Sequence, residues 1–322
     1  MMVRLGYVAM STVVENASPS KTMTFTSFSK LGDREAAIRK LERLAEQNLH
    51  NTLRLLKHNR AHDVHMYRFS SKLIPLFGHE ALEGWDPVSL LTDSFREIGD
   101  YVKEHGMRVS FHPDHFTVLS TPREMVLRNS IGDLHRHALM LEAMELDDRA
   151  KCNIHIGGMY GDKAAAGERF IVHFTSLDSR IRRRMTLEND DKTFTARETL
   201  EICERVGAPM VFDVHHHDVN SGDETAEELW PRITRTWAEE AVPPKIHMSS
   251  PKSDKDRRGH ADYVSADKLL SFLRMAAAAG TPQLDVMLEA KMKDGALFKL
   301  VEELRSVQGV RTIDQASFEI NA

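Results

Sequence analysis

Cysteine is nearly missing from this chain: of 322 residues, only Cys152 and Cys203 carry a thiol. Each lies in an apolar-periodic segment, which excludes a disulfide-stapled secreted scaffold and predicts reduced, buried thiols in a cytoplasmic protein. Long apolar runs are missing too. None approaches the roughly 18 residues that a membrane helix needs. The apolar part of residues 1–10 is too short for a signal peptide and reads as a first strand. There is no Pro-, Gly- or Ser-rich linker, no low-complexity tract and no shift in composition, so residues 1–322 read as one domain. A basic surplus is also absent. The formal net charge of −5 argues against a surface that binds nucleic acid all over. It leaves room for a local site, because bound divalent ions add charge that composition does not count. The one excess is histidine, with 17 residues.

What is present is alternation. Eight strand-like runs fall at 3–9, 66–69, 108–111, 152–156, 185–187, 210–212, 245–248 and 285–288. Between them lie helical patterns at 34–59, 87–105, 122–146, 163–183, 196–206, 226–241, 266–279 and 295–307. The first shows apolar residues at Ile38, Leu41, Leu44, Ala45, Leu49, Leu53 and Leu56, close to the 3.6-residue period. Gly106, Gly207 and Gly280 follow amphipathic segments just before a strand, as helix stops do. Strict alternation implies a parallel sheet. Eight units without a break between halves predict an α/β fold, a single (β/α)8 TIM barrel. The long irregular stretches 11–32, 70–86 and 249–264 each follow a strand, where binding loops of a barrel belong.

Six of the runs end in a metal-ligand residue: His112, His155, Glu188, Asp213, His247 and Glu289. Neighbours in this series are separated by between 25 and 43 residues, about one strand-helix unit or a little more. His216 follows strand six and His260 lies in the loop after strand seven. Neighbouring strand ends stand about 5 Å apart, so these side chains can share ions, and a carboxylate between two ions can bridge them. A mixed histidine and carboxylate set suits zinc or manganese better than magnesium or calcium. For one histidine the simpler reading is an isolated polar cap. Eight residues in phase over six strands are not explained that way. Spacing leaves open which of His215, His216 and His217 binds, or whether the triplet is an exposed polar loop. Lys245 lies two residues before His247 and shares its face. It can contact a phosphate oxygen, serve a metal if chemically modified, or pair with an acidic ligand.

The blocks Gly6-Tyr7, Arg68-Phe69-Ser70-Ser71, Phe111-His112-Pro113, Asn153-Ile154-His155-Ile156-Gly157-Gly158, Glu188-Asn189-Asp190-Asp191-Lys192 and Phe212-Asp213-Val214-His215-His216-His217 are followed by three more. These are Lys245-Ile246-His247-Met248-Ser249-Ser250-Pro251, Gly259-His260-Ala261 and Leu288-Glu289-Ala290-Lys291. In this order the chain resembles the UV damage endonuclease family, nearly end to end. The resemblance implies a TIM barrel related to endonuclease IV, with three divalent metal ions, usually manganese, while zinc, cobalt or magnesium are also admitted. It further implies incision of damaged double-stranded DNA immediately 5′ to ultraviolet photoproducts, leaving a 3′-hydroxyl and a 5′-phosphate. By position it makes His112, His155, Glu188, Asp213, His216, His247, His260 and Glu289 the metal ligands and sets Lys245 beside them. Glu188 is the expected bridging ligand, between the His112/His155 pair and the Asp213/His247/Glu289 group, and a catalytic residue together with Lys245.

The family probes DNA just past the His-Pro of strand three, commonly with a glutamine and an aromatic. Here His115 replaces the glutamine and Phe116 keeps the aromatic wedge. The resemblance adds Tyr7 and His79 as lesion contacts. Among rim cations, Lys192, Lys252, Lys255, Arg257, Arg258, Lys291 and Lys293 all follow strands and can meet phosphates, with simple solvation the reading for about half of them. The expected partner is DNA, with no membrane, and the chain acting as a monomer. The rivals are an abasic-site endonuclease, a metal-dependent sugar isomerase or epimerase of the same fold, and a non-catalytic lesion-binding module. The aromatic after His-Pro and the lysine-rich loops favour DNA over a sugar. The ligand set opposes a module without ions, since clustered unpaired carboxylates and histidines are costly to keep.

Overall fold

Strand and helix alternate in the computed structural model, which describes residues 1–321. The chain runs β1 (Met2–Val8), α1 (Phe25–Ser29), α2 (Arg34–Ala61), β2 (Met66–Arg68), α3 (Pro87–Leu90), α4 (Thr92–Glu104), β3 (Arg108–Phe111), α5 (Glu124–Ala143) and β4 (Lys151–His155). It continues with α6 (Lys163–Thr175), α7 (Ser179–Arg182), β5 (Met185–Glu188), α8 (Ala196–Val206), β6 (Met210–Asp213), α9 (Val214–Val219), α10 (Ala226–Arg235) and β7 (Lys245–Met248). The last part is β8 (Pro251–Ser253), β9 (Asp256–His260), α11 (Ala266–Ala278), β10 (Gln283–Leu288), α12 (Lys293–Leu304), β11 (Val310–Thr312) and β12 (Ser317–Ile320). Strands β1 to β7 and β10 pair in parallel. β10 returns to β1, Met2 opposite Gln283 through Tyr7 opposite Leu288, so the sheet closes as an eight-stranded barrel. At Gly6 a β-carbon would stand 2.4 Å from the Met66 carbonyl oxygen, so the β1–β2 seam admits no side chain there.

The two-residue alternation of a strand decides which side chains reach the lumen. On β1, Val3, Leu5 and Tyr7 are buried outward against the helices, while Arg4 meets Asp285 of β10 across the lumen. Arg108 of β3 reaches the same carboxylate, Nη1 to Oδ2 2.6 Å. Barrel lumens are usually filled by branched apolar residues. This one carries an ion cluster at its N-terminal end and polar side chains up to its mouth.

The helices keep the expected punctuation. Asp33 caps α2 by accepting from the Ala36 N–H. Thr195 and Glu198 form a reciprocal capping box at α8, which ends on Gly207 in the left-handed conformation, φ +67°. Several bounds differ from the pattern-based expectation. The 87–105 helix is broken at Leu91, where the Thr92 hydroxyl turns back to the Ser89 carbonyl. The 163–183 helix stops at Thr175 and resumes as α7 behind an Asp178 cap. The stretch 249–264 contains an antiparallel ribbon, β8–β9. A further hairpin, β11–β12, lies antiparallel against β1 at Met2–Arg4. Cys152 and Cys203 are buried and unpaired, and among the described residues no helix is long and apolar enough to cross a membrane.

Candidate metal centre

Six barrel strands and the turns after them bring the ligand-type side chains to the C-terminal mouth. Three groups form in which ligand atoms lie within 4.8 Å of one another: His112, His155 and Glu188; Glu188, Asp213 and His216; Asp213, His247 and Glu289. Glu188 belongs to the first two and Asp213 to the last two, so shared carboxylates link the groups into a chain. Glu188 is buried at the hub. Its Oε2 lies 3.1 Å from His112 Nε2 and 4.0 Å from His155 Nε2, and its Oε1 lies 3.0 Å from His247 Nδ1 and 3.5 Å from His216 Nδ1. His247 Nδ1 is also 3.1 Å from Glu289 Oε1.

The His triplet lies in a short helix, α9. Asp213 caps α9 by accepting from the His216 N–H, which turns the His216 ring to the lumen. His215 is buried with neither ring nitrogen bonded, so the exposed-loop reading of the triplet is corrected. His260 sits on the β9 ribbon, its Nδ1 3.8 Å from Glu289 Oε2, and falls outside the three groups.

Electrostatics follow from crowding three carboxylates in a largely buried site. Burial, then the charges of Glu188 and Glu289, push Asp213 up to about 8. Burial alone would lower His216, but Asp213, Glu188 and Glu289 outweigh it and raise it to about 9. Burial acts to raise Glu188 as well, yet His247, His155 and the hydrogen bond from His112 hold it well below the carboxylate range. Lys245 is buried and makes no ion pair among the described residues. Burial, Arg108 and Arg68 bring it down to about 7.

The donor set fits divalent cations. It offers three carboxylates and four imidazoles within ligand distance of one another. Asp213 Oδ2, His155 Nδ1 and His247 Nε2 are enclosed without a hydrogen-bond partner, and enclosed polar atoms are costly unless something satisfies them.

Sequence reasoning missed four residues that hold this set. Arg68 of β2 donates to Glu289 Oε1. Asn189 clamps the end of β6, its amide accepting from Asp213 N and donating to Asp213 O, both at 2.9 Å. Asn153 and Thr186 lie one layer below Glu188. Arg68, Asn153 and Thr186 stand in phase with lumen-facing ligands, which is the signal that would have found them.

Around the mouth, a cavity of about 460 Å³ is lined by His112, His155 and His216 on its floor and by His115, Lys192 and Arg258 at its edge. Phe116 is 75 % exposed at a loop tip, beside the tilted ring of His115 with centroids 4.0 Å apart, so it is not a core residue. The tip stands on a stapled loop: Thr117 Oγ1 donates to Asp133 Oδ2 (2.6 Å), and the Val118 N–H donates to Ser130 Oγ (3.0 Å). Arg257, Lys252 and Lys255 are exposed on the β8–β9 ribbon. His79 stacks on Phe25 and lines a separate groove with Arg128 and Arg136, away from the ligand groups. Tyr7 as a lesion contact is corrected. It points out of phase with the lumen, is fully buried, and donates its hydroxyl to Asn59 Oδ1 of α2 at 2.6 Å. In the loop after β1, the Ser11 hydroxyl donates to the buried Asp294 carboxylate.

The sequence profile described as "UV-endonuclease UvdE" matches residues 3–321. The "UV DNA damage endonuclease" of Halalkalibacterium halodurans is 43% identical over 321 residues, covering 100% of both chains. The protein of the same name from Bacillus pumilus is 45% identical over 320 residues, covering 99% of both. The crystal structure of SacUVDE superposes with a TM-score of 0.82 at 30% identity, covering 94% of this chain and 98% of that one. Endonuclease IV from Thermus thermophilus shares the fold, with a TM-score of 0.57 at 12% identity, over 94% of this chain and 100% of that one. The chain belongs to the UV-endonuclease UvdE family.

Proposed function

We propose, on the premise of that family membership, that this chain is a metal-dependent endonuclease that incises duplex DNA immediately 5′ to ultraviolet photoproducts. Its substrates are cyclobutane dimers and 6-4 photoproducts, with abasic sites as a further one, and its products carry a 3′-hydroxyl and a 5′-phosphate. The observation that carries this reading is the chain of three ligand groups joined through Glu188 and Asp213. Three divalent ions, manganese in the first place, would be held by His112, His155, Glu188, Asp213, His216, His247 and Glu289, with His260 closing from the ribbon. Such ions supply a nucleophilic oxygen near neutral pH and neutralise the scissile phosphate and the leaving oxygen.

The protein's own residues do the rest. Glu188 and Asp213, each shared by two ligand groups, would hold neighbouring ions. Arg68 holds Glu289, and Lys245 stands behind the centre as a cation-capable group poised by burial. His115 and Phe116 form a tip that enters the base stack where a lesion has weakened it, and the staples on Thr117 and Val118 keep it rigid. Lys192, Arg257 and Arg258 meet phosphates along the rim.

The test is incision of a duplex with one defined cyclobutane dimer, beside intact and abasic duplexes, with and without chelator, and with the cut mapped to the nucleotide. A cut directly 5′ to the dimer that chelator abolishes is expected. Equal cutting of intact duplex, or activity that survives chelation, overturns the reading.

A further inference from the structure

Below the mouth, the barrel lumen holds a buried polar chain that ends on the carboxylate of Glu188. Asn153 and Thr186 face each other in the β4–β5 register, one step beneath the facing pair His155 and Glu188. Both are 0 % exposed. Each lies two residues before a ligand and so points into the lumen with it. The Thr186 hydroxyl donates to Asn153 Oδ1 at 2.7 Å, and Asn153 Nδ2 donates to Glu188 Oε2.

The direction of this chain is fixed by chemistry. An ionised carboxylate only accepts, so the amide must turn its N–H toward Glu188. The amide oxygen then needs a donor on its other side, and the Thr186 hydroxyl is that donor. Were the amide reversed, its oxygen would face Glu188 acceptor to acceptor. The bond from Asn153 occupies one side of Oε2. The same oxygen is left facing His112 at 3.1 Å, while Oε1 faces His247 at 3.0 Å and His216 at 3.5 Å. The carboxylate is thereby held with one oxygen toward each of two ligand groups. A buried polar pair where barrels carry branched apolar side chains is costly unless every member is satisfied. This pair is satisfied only through Glu188.

We infer that Asn153, oriented by Thr186, is a positioning residue that sets the Glu188 carboxylate as a ligand shared between two metal ions. The inference rests on the reading of Glu188 as a shared ligand. Groups that orient a metal ligand from behind typically govern affinity by about 10- to 100-fold.

The experiment compares Mn2+ binding isotherms of the whole protein, with its metal-free melting temperature, for the parent, Thr186→Val, Thr186→Ser, Asn153→Ala and Glu188→Gln. Thr186→Val keeps the shape and removes only the donor. It is expected to weaken Mn2+ binding about tenfold or more, with a metal-free melting point near the parent's, and Asn153→Ala is expected to weaken binding at least as much. Thr186→Ser, which restores the hydroxyl, should bind like the parent. If Thr186→Val and Asn153→Ala bind Mn2+ like the parent while Glu188→Gln does not, the positioning role is overturned and the ligand reading stands. If Glu188→Gln also binds like the parent, the ligand reading fails and the inference with it. If Thr186→Ser and Thr186→Val lose binding equally, the hydroxyl is irrelevant and the inference is again overturned.

Discussion

His247 Nδ1 stands 3.0 Å from Glu188 Oε1, and both side chains are fully enclosed by the barrel. A nitrogen on β7 and an oxygen on β5 are thus brought together at one point, with Asp213 of β6 between their strands. Convergence of this kind makes Glu188 the side chain whose loss removes most. Glu188→Gln keeps the shape and halves the ligand capacity. It is expected to lower incision of a dimer-containing duplex by more than about a hundredfold, beyond what groups behind a ligand cost, with an unchanged circular dichroism spectrum. Near-normal incision by this variant would remove Glu188 from the centre.

Phe116 offers an exposed ring on a loop that is stapled at Thr117 and Val118. Stacking an aromatic against a base contributes roughly 1–3 kcal/mol. Phe116→Ala should therefore reduce affinity for the lesion duplex by about fivefold or more and leave Mn2+ binding unaltered. Equal loss on undamaged DNA would make the ring a general contact and not a wedge.

Asp285 holds two guanidinium groups at the N-terminal end of the lumen, Arg4 through Nε and Nη2 at 2.8 and 2.6 Å and Arg108 through Nη1 at 2.6 Å. Asp285→Asn leaves the buried Arg108 charge without its counter-ion. The expected cost is about 3–5 kcal/mol in urea unfolding, while the folded fraction still binds Mn2+. A midpoint equal to the parent's would show the cluster to be dispensable.

His137 is buried on α5, its Nδ1–H donating to the Asp133 carbonyl at 2.9 Å and its ring edge-on to Phe111. Burial depresses its pKa below 6.5, against the opposing pull of Asp133. The unfolded chain takes up a proton near pH 6.5 that the folded chain refuses. Stability carried by neutral His137 is thus present above that pH and is lost as pH falls toward the folded-state value. His137→Phe should show a shallower fall in melting temperature between about pH 7 and pH 5 than the parent, both measured metal-free. Parallel curves would contradict it.

The barrel was legible because its signals are periodic. Short strand-like runs alternate with amphipathic helices, and glycines such as Gly207 stop the helices where the φ angle turns positive. The convergence of ligand-type side chains was legible for the same reason, since His155, Glu188 and Asp213 each close a strand. What escaped depended on which face of a strand a residue takes and on its cross-strand partner. Tyr7 was assigned by position along β1, whereas alternation sends it outward to Asn59. Asn153 and Thr186 look like ordinary strand residues until the β4–β5 register sets them beneath Glu188. The α9 turn was hidden because Asp213 serves as a helix cap and a lumen carboxylate at once. The β8–β9 ribbon carries exposed Pro251, Lys252 and Asp256, a composition that reads as loop.

Anomalous diffraction at the manganese edge, from crystals grown with Mn2+, tests the central claim most directly. The account predicts peaks enclosed by His112, His155 and Glu188, by Glu188, Asp213 and His216, and by Asp213, His247 and Glu289, with Glu188 touching two of them. Density that lies elsewhere in the barrel, or a Glu188 carboxylate bound to no peak, would contradict it.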